Sequence, residues 1–358
     1  MQKKDGMVYA PEARKTKKVV DGEEFPFAAA FFDHGHLYGQ INGLLEAGAK
    51  LSLIYDTDET RLRSLKEKFP EVRIARTFEE VLQSDVSMVA SAAIPSERAR
   101  IGIEVMKAGK DYFVDKCPFA SIDQLESARA TVEQTGQKYL VYYSERLHVE
   151  SAWYADELIQ GGAIGDIVHM EIFGPHRLSK DNRPVWFFEK TRYGGILTDI
   201  ASHQFDQFLH YARCDEGEVV HAVVDNRSHP DRPEFEDVGQ ASLILANGVQ
   251  CFSRVNWYTP DGMRGWGDGR TFITGTKGVM EIRKYFDLGR GDQGDLIFLV
   301  DGSGEQVLDV GGKVGFPFFG EMILDCLNRT EKAMTQHHAF QAARLSLEAQ
   351  ALADEARR

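Results

Sequence analysis

The sequence is poor in several features that would mark other protein classes. Its four cysteines, Cys117, Cys214, Cys251 and Cys326, are scattered and form no C-x-x-C pair. That argues against a thiolate zinc site and a disulfide framework, and it suits a reducing compartment, so the cytoplasm is the expected location. No apolar run approaches the roughly 18 residues of a membrane span. Positive charge is in deficit: 42 Lys and Arg against 55 Asp and Glu leave a net charge of −13. Nucleic acid and anionic membranes are therefore not expected partners, because phosphates attract the opposite sign. The basic residues of positions 1–26 come without an apolar core, so they do not form a secretory signal. They read as a surface arm, with a reach to a partner subunit as the alternative.

What is present is a change of grammar near residue 146. From Phe27 to Tyr143, short apolar runs (FAAAFF, LSLIY, VSMVAS, YFV, YLVYY) alternate with charged segments of helical period. Alternation of this kind predicts right-handed βαβ units and a doubly wound parallel sheet over 27–145. Beyond it come a helix at 149–160, a strand at 167–173, an irregular stretch and a helix at 200–211. Period-2 runs follow at 219–227, 238–246, 249–258, 270–275, 279–284 and 295–300, joined by turns that include Asn247-Gly248 and Asp261-Gly262. Two helices, 318–329 and 337–357, end the chain. The span 146–358 is thus an α+β domain with a large, mostly antiparallel sheet, and the chain as a whole is α/β.

Four places can carry chemistry. The stretch FFDHGHLYGQ follows the first strand but keeps only the middle glycine of a G-x-G-x-x-G fingerprint, Gly35. It is either a cofactor loop, with Gly35 allowing close backbone approach to a pyrophosphate and His36 and Leu37 donating their N–H groups, or a plain strand-to-helix turn. Asp33 must face away from phosphate or cap the helix. Asp56 ends the second strand, where a carboxylate holds ribose hydroxyls and repels the 2′-phosphate of NADP; the alternative is a helix cap. Asp115 and Lys116 end the fifth strand, on the rim where open α/β sheets bind ligands. Lys116 either favours a substrate alkoxide or forms a solvated charge pair. Asp199 and His203 stand four apart, as an oriented general base, a surface contact or metal ligands; no third ligand sits at a recognisable spacing, so no metal is expected.

Taken together, these motifs resemble the Gfo/Idh/MocA oxidoreductases. Asp115-Lys116-Cys117 is similar to the family's E-K-P signature, with Pro118 one place later. Gly194, Gly195, Leu197, Asp199 and His203 match its G-G-x-L-x-D-x-x-x-H signature. Ala108-Gly109-Lys110 matches the A-G-K before the fifth strand, and Pro95 with Arg98 partly keeps a P-x-x-x-H turn. The resemblance implies a Rossmann domain followed by a domain whose open sheet joins homodimers or homotetramers. It implies Lys116, Asp199 and His203 as catalytic residues. It also implies a cofactor site that includes Pro95, Asp115 and Lys116 besides the loop and Asp56. Cys117 departs from the signature proline, leaving that position's cis-proline geometry to Pro118, and Arg98 brings a permanent cation.

The expected activity is hydride transfer between a sugar, polyol or related small alcohol and NAD, with NADP less favoured. His176, Arg177, Trp186 and Arg192 in the irregular stretch are the expected substrate lining. Two rivals are a glycosidase that oxidises its substrate transiently on retained NAD and a noncatalytic dinucleotide-binding sensor.

Overall fold

The computed structural model describes residues 17–291 and 294–357. Most of the expected N-terminal arm, residues 1–16, lies outside the described residues. From Val19 onward the segment is packed: Val19 N–H donates to the Ala47 carbonyl at 2.9 Å, and Phe25 is fully buried. The surface-arm reading therefore fails for 19–26, because Val20 and Phe25 gain more from burial than from water.

Two compact units divide the chain. The first comprises residues 17–142 and Pro317–Ala339; the second comprises Tyr143–Phe316 and 340–357. The first runs β1 (Pro26–Ala30), α1 (His36–Glu46), β2 (Lys50–Tyr55), α2 (Glu59–Lys68), β3 (Arg73–Ile74), α3 (Phe78–Leu82), β4 (Met88–Ser91), α4 (Pro95–Lys107), β5 (Asp111–Asp115), α5 (Ile122–Thr135) and β6 (Tyr139–Tyr142). Its strands are parallel in the order β3-β2-β1-β4-β5-β6. The order reverses at β1 and β4, which opens a crevice beyond their carboxyl ends. Local chemistry starts the helices: Asp58 accepts the Thr60 and Arg61 N–H groups at 2.8 and 3.1 Å, while Thr77 and Ser121 cap α3 and α5.

The second unit runs α6 (Ser144–Leu147), α7 (Glu150–Gln160), β7 (Ile167–Pro175), α8 (Lys190–Tyr193), α9 (Ile196–Asp199), α10 (Ala201–Ala212), β8 (Gly217–Asp225), β9 (Val238–Leu245), β10 (Gln250–Asn256), β11 (Arg270–Gly275), β12 (Gly278–Arg283), β13 (Leu296–Asp301) and β14 (Gly304–Asp309). These eight strands order as β14-β13-β12-β11-β7-β10-β9-β8, with β7 and β10 parallel. Asn247-Gly248 makes the expected β9–β10 hairpin. Asp261-Gly262 does not join a hairpin, because β7 is inserted between β10 and β11. α11 (Pro317–Asn328) returns to the first unit, where Phe319 covers α1 so closely that a Cβ on Gly43 would lie 2.2 Å from its ring. α12 (Gln336–Arg357) closes the chain, and no helix among the described residues is long and apolar enough to cross a membrane.

One buried pair between α7 and α10 sets an acid limit. His210 Nε2 lies 3.3 Å from Asp156, which Arg213 also grips at 2.6 Å. Burial, reinforced by the Arg146 cation, pushes the His210 imidazole down to about 4. The folded state thus binds its proton later than the unfolded chain, whose histidine titrates near ~6.5. Stability is therefore complete above about pH 6.5 and falls as the pH drops toward about 4. The unfolding free energy from urea titrations should fall between these limits by an amount on the order of a few kcal/mol, and His210→Asn should flatten that slope.

Candidate active site

The first βα turn brings three buried side chains together. Gly35 stands at the N-cap of α1, and His34 and His36 flank it. His36 Nδ1 is 2.9 Å from Asp115 Oδ1, and His34 Nδ1 is 3.6 Å from Asp115 Oδ2. His34 Nδ1 also accepts the His36 N–H at 3.2 Å, so one of the two leading N–H groups assigned to a pyrophosphate is engaged by a side chain. The Leu37 N–H makes only a long 3.4 Å bond to the His34 carbonyl. Asp33 neither caps α1 nor faces its start: its Oδ1 accepts from Arg61 Nη1 at 2.9 Å.

Asp56 is buried at the end of β2. Its Oδ2 accepts the Phe32 N–H at 2.7 Å and its Oδ1 the Asp58 N–H at 2.8 Å, so it braces the loop as well as ending the strand. Burial raises its carboxyl pKa, opposed by those two N–H groups and by Arg61. Asp58 is itself the N-cap residue of α2, so Asp56 supports that cap by accepting its N–H while the Asp58 side chain makes it.

The D-K-C-P turn is organised by Arg98. Its guanidinium is 1% exposed and meets five oxygens. Nε donates to the Ala93 carbonyl at 2.6 Å, and Nη1 to the carbonyls of Asp115 at 3.1 Å, Cys117 at 2.9 Å and also Lys116. Nη2 reaches Asp115 Oδ2 at 3.2 Å. The cis peptide bond is Lys116–Cys117, at the signature's own position and not at Pro118. His36 and Arg98, together with Lys116, hold the Asp115 carboxyl below its usual range against full burial. His34, His36 and Asp115 bring three potential ligand atoms within 4.8 Å of one another. Arg98 and Lys116 set two fixed cations against that one carboxylate, which opposes a divalent ion.

In the second unit the G-G signature is a backbone device. Gly194 and Gly195 have φ of 92° and 98°, and a Cβ on Gly195 would lie 2.3 Å from the Gln350 side chain. Gln350 Oε1 accepts the Leu197 N–H at 3.0 Å, and buried Glu236 accepts the Ile196 N–H at 2.9 Å, fixing the start of α9. Asp199 ends α9 and His203 lies in the first turn of α10, with Ile200 between the two helices. Both side chains are buried. Beside them α10 carries Gln204, whose amide donates to Glu145 Oε2 at 3.2 Å; Lys284 donates to the same oxygen at 3.1 Å. Burial lowers the Lys284 pKa while Glu145 raises it.

The four expected lining residues separate. His176 stacks edge-on against Trp266, with ring centroids 4.6 Å apart, and its Nδ1 faces the Gly174 carbonyl. Trp186 is buried next to Phe187 in an aromatic cluster, and Arg192 is half-buried beside Glu189. Arg177 lines a cavity of about 760 Å³ with Lys180, Asn182, His229, Tyr258 and Asp261. The W-F-F run went inward because a tight turn at Val185–Phe188 directs it against Phe235 and Trp257. The roles of Arg98, Glu145 and Lys284 were missed; the available signal was a charged residue inside or beside an apolar element.

Comparison with known proteins gives the family. The profile of the GFO/IDH/MocA C-terminal domain matches residues 153–281. A crystal structure from Erwinia carotovora atroseptica SCRI1043, provisionally described as an oxidoreductase, is 41% identical, covers 92% of this chain and 98% of its own, and superposes with a TM-score of 0.90. Levoglucosan dehydrogenase in complex with NADH and levoglucosan shares the fold at 16% identity, covering 92% and 97%, with a TM-score of 0.76. Aldose-aldose oxidoreductase from Caulobacter crescentus complexed with glycerol does so at 17%, covering 93% and 98%, with a TM-score of 0.77. No curated protein matches by sequence. A two-fifths identity across nearly the whole of both chains, together with the matched C-terminal profile, makes this chain a member of the Gfo/Idh/MocA family.

Proposed function

We propose that the chain is an NAD-dependent dehydrogenase of a sugar, polyol or related small alcohol. The observation that carries the reading is Lys116, on a turn fixed by Arg98 at the carboxyl end of β5, in a sheet of dinucleotide-binding order. The relatives complexed with NADH and levoglucosan, or with glycerol, support the cofactor and the substrate class.

The residues present fit NAD. The start of α1, with two histidines and the Arg98 and Lys116 cations around one carboxylate, suits a pyrophosphate. Asp56 keeps acceptor capacity for ribose hydroxyls, since a carboxylate offers about four lone-pair sites. Arg61 is shared by Asp33, Asp56 and Asp58, at 2.9, 3.4 and 3.6 Å, so a 2′-phosphate would meet more carboxylate than cation. NAD, when bound, supplies the hydride acceptor. Lys116 hydrogen-bonds the reacting oxygen and stabilises its developing negative charge. His203 accepts the hydroxyl proton, and Asp199 orients it or a neighbouring hydroxyl. Pro95, at the first position of α4, shapes the cofactor side of that rim, and Arg177, on the cavity of the second unit, is the residue assigned to substrate.

Purified protein should bind NAD more tightly than NADP by calorimetry, and a sugar and polyol panel should yield NADH. No dinucleotide binding at millimolar concentration would sink the reading; aglycone release without net NADH would replace it with the glycosidase. The chain should also assemble as a homodimer or homotetramer through the open sheet face, which exposes Ile244, Val279 and Val300. Light scattering should give that mass, Val279→Asp with Val300→Asp should lower it, and a monomeric parent would refute it.

A further inference from the structure

His34 takes no part in the proposed hydride or proton transfer, yet it occupies the cofactor's ground. In a doubly wound fold the dinucleotide phosphates bind at the first helix N-terminus, through its leading N–H groups. Here the His36 N–H, at the first position of α1, is bonded to His34 Nδ1 at 3.2 Å. One N–H cannot serve two acceptors well, so a phosphate oxygen that takes it must displace that nitrogen and then lie against it. A neutral imidazole nitrogen facing an anion repels it through its lone pair; a protonated one donates a hydrogen bond. Resting on the NAD reading above, we propose that His34 is a cofactor-phosphate ligand that binds as the imidazolium, taking up a proton as the dinucleotide arrives.

The surrounding charges give the same sign. From β5, Asp115 Oδ2 lies 3.6 Å from His34 Nδ1 and favours its cation. Arg98 of α4 sits 3.2 Å from that oxygen and already neutralises it; Lys116 follows on β5, and the His36 ring of α1 is 4.2 Å from that of His34. Asp33, the neighbouring carboxylate, is turned to Arg61 of α2. Arg98 thus offsets the one carboxylate close to the ring. A pyrophosphate reverses that balance. The ring can respond alone, because the His34 backbone is anchored by its N–H to the Ala92 carbonyl at 3.0 Å.

The test is calorimetric titration of the full chain with NAD from about pH 6 to about pH 8.5, a range that brackets an ordinary histidine. Buffers of different ionisation enthalpy count the protons exchanged. The parent should take up a fraction of a proton that is greatest between the pKa values of the free and the bound imidazole. Its affinity should weaken with rising pH by at most about tenfold per unit. His34→Asn keeps an acceptor for the His36 N–H but cannot carry the proton: uptake should vanish and affinity become independent of pH. His36→Asn should retain the uptake. ADP-ribose, which has the pyrophosphate, should reproduce it, and adenosine should not. Uptake that persists in His34→Asn, is lost only in His36→Asn, or fails with ADP-ribose overturns the assignment. NAD binding without uptake overturns it and leaves the dehydrogenase reading standing, whereas absence of NAD binding overturns both.

Discussion

His203→Ala is expected to lower turnover by roughly 10²- to 10⁴-fold, the usual contribution of a positioned acid–base group. Affinity for NAD should change little. His203 belongs to the second unit, in the first turn of α10, whereas the cofactor loop and Asp56 belong to the first. Its own backbone is well anchored, with its carbonyl accepting from Gln207 Nε2 at 2.8 Å, so the truncation removes an imidazole without unravelling the helix. The alkaline-favoured limb of the pH–rate profile, where a neutral imidazole accepts the hydroxyl proton, should disappear with it. Asp199→Asn should give a smaller loss and shift that limb, because orienting a base matters less than supplying it. Steady-state rates and NAD titrations on the same preparations decide the matter; unchanged turnover in His203→Ala would remove it from the mechanism.

Arg98→Met is expected to be strongly destabilising to the first unit. It strips hydrogen bonds from four carbonyls and leaves the fully buried Asp115 without its guanidinium, a loss on the order of 3–5 kcal/mol. Arg98→Lys should recover only part of it, since a point ammonium cannot reproduce a planar fork with five donors. Activity should fall in both, because the Lys116 carbonyl is itself one of the oxygens Arg98 holds. Urea midpoints and NAD-dependent turnover are the measurements. An Arg98→Met protein with parental stability and rate would show that the D-K-C-P turn holds itself.

The parallel sheet, the long helices and the β9–β10 hairpin were legible because each has a local cause: alternation of apolar runs, side-chain caps, or Asn-Gly. β14 was not, since Glu305 and Gln306 lie on an exposed edge strand that has little apolar pattern to display. Nor was the place of β7 between β10 and β11, which is a long-range pairing no adjacent turn announces. At the site, spacing found Asp56, Lys116, Asp199 and His203 as candidates, but it could not say what each side chain meets. Asp56 proved to brace Phe32 and Asp58, and His176 to pack against Trp266. Arg98 looked like a stray cation because its partners are mostly carbonyls, and carbonyls are invisible in a list of side chains.

The return of α11 bears on how the protein is born. Phe319 lies over Gly43, Phe113 and Tyr142, and Gln336 Oε1 accepts the Tyr139 N–H at 2.8 Å. A ribosome that has finished β6 has therefore made every strand of the first sheet but not the helix that covers one of its faces. Chains emerge at about 5–20 residues per second, so this apolar surface must wait on the order of ten seconds or more before residues 317–339 appear. The nascent first unit is then a natural client for chaperones, and a ribosome halted within the second unit would leave it permanently incomplete.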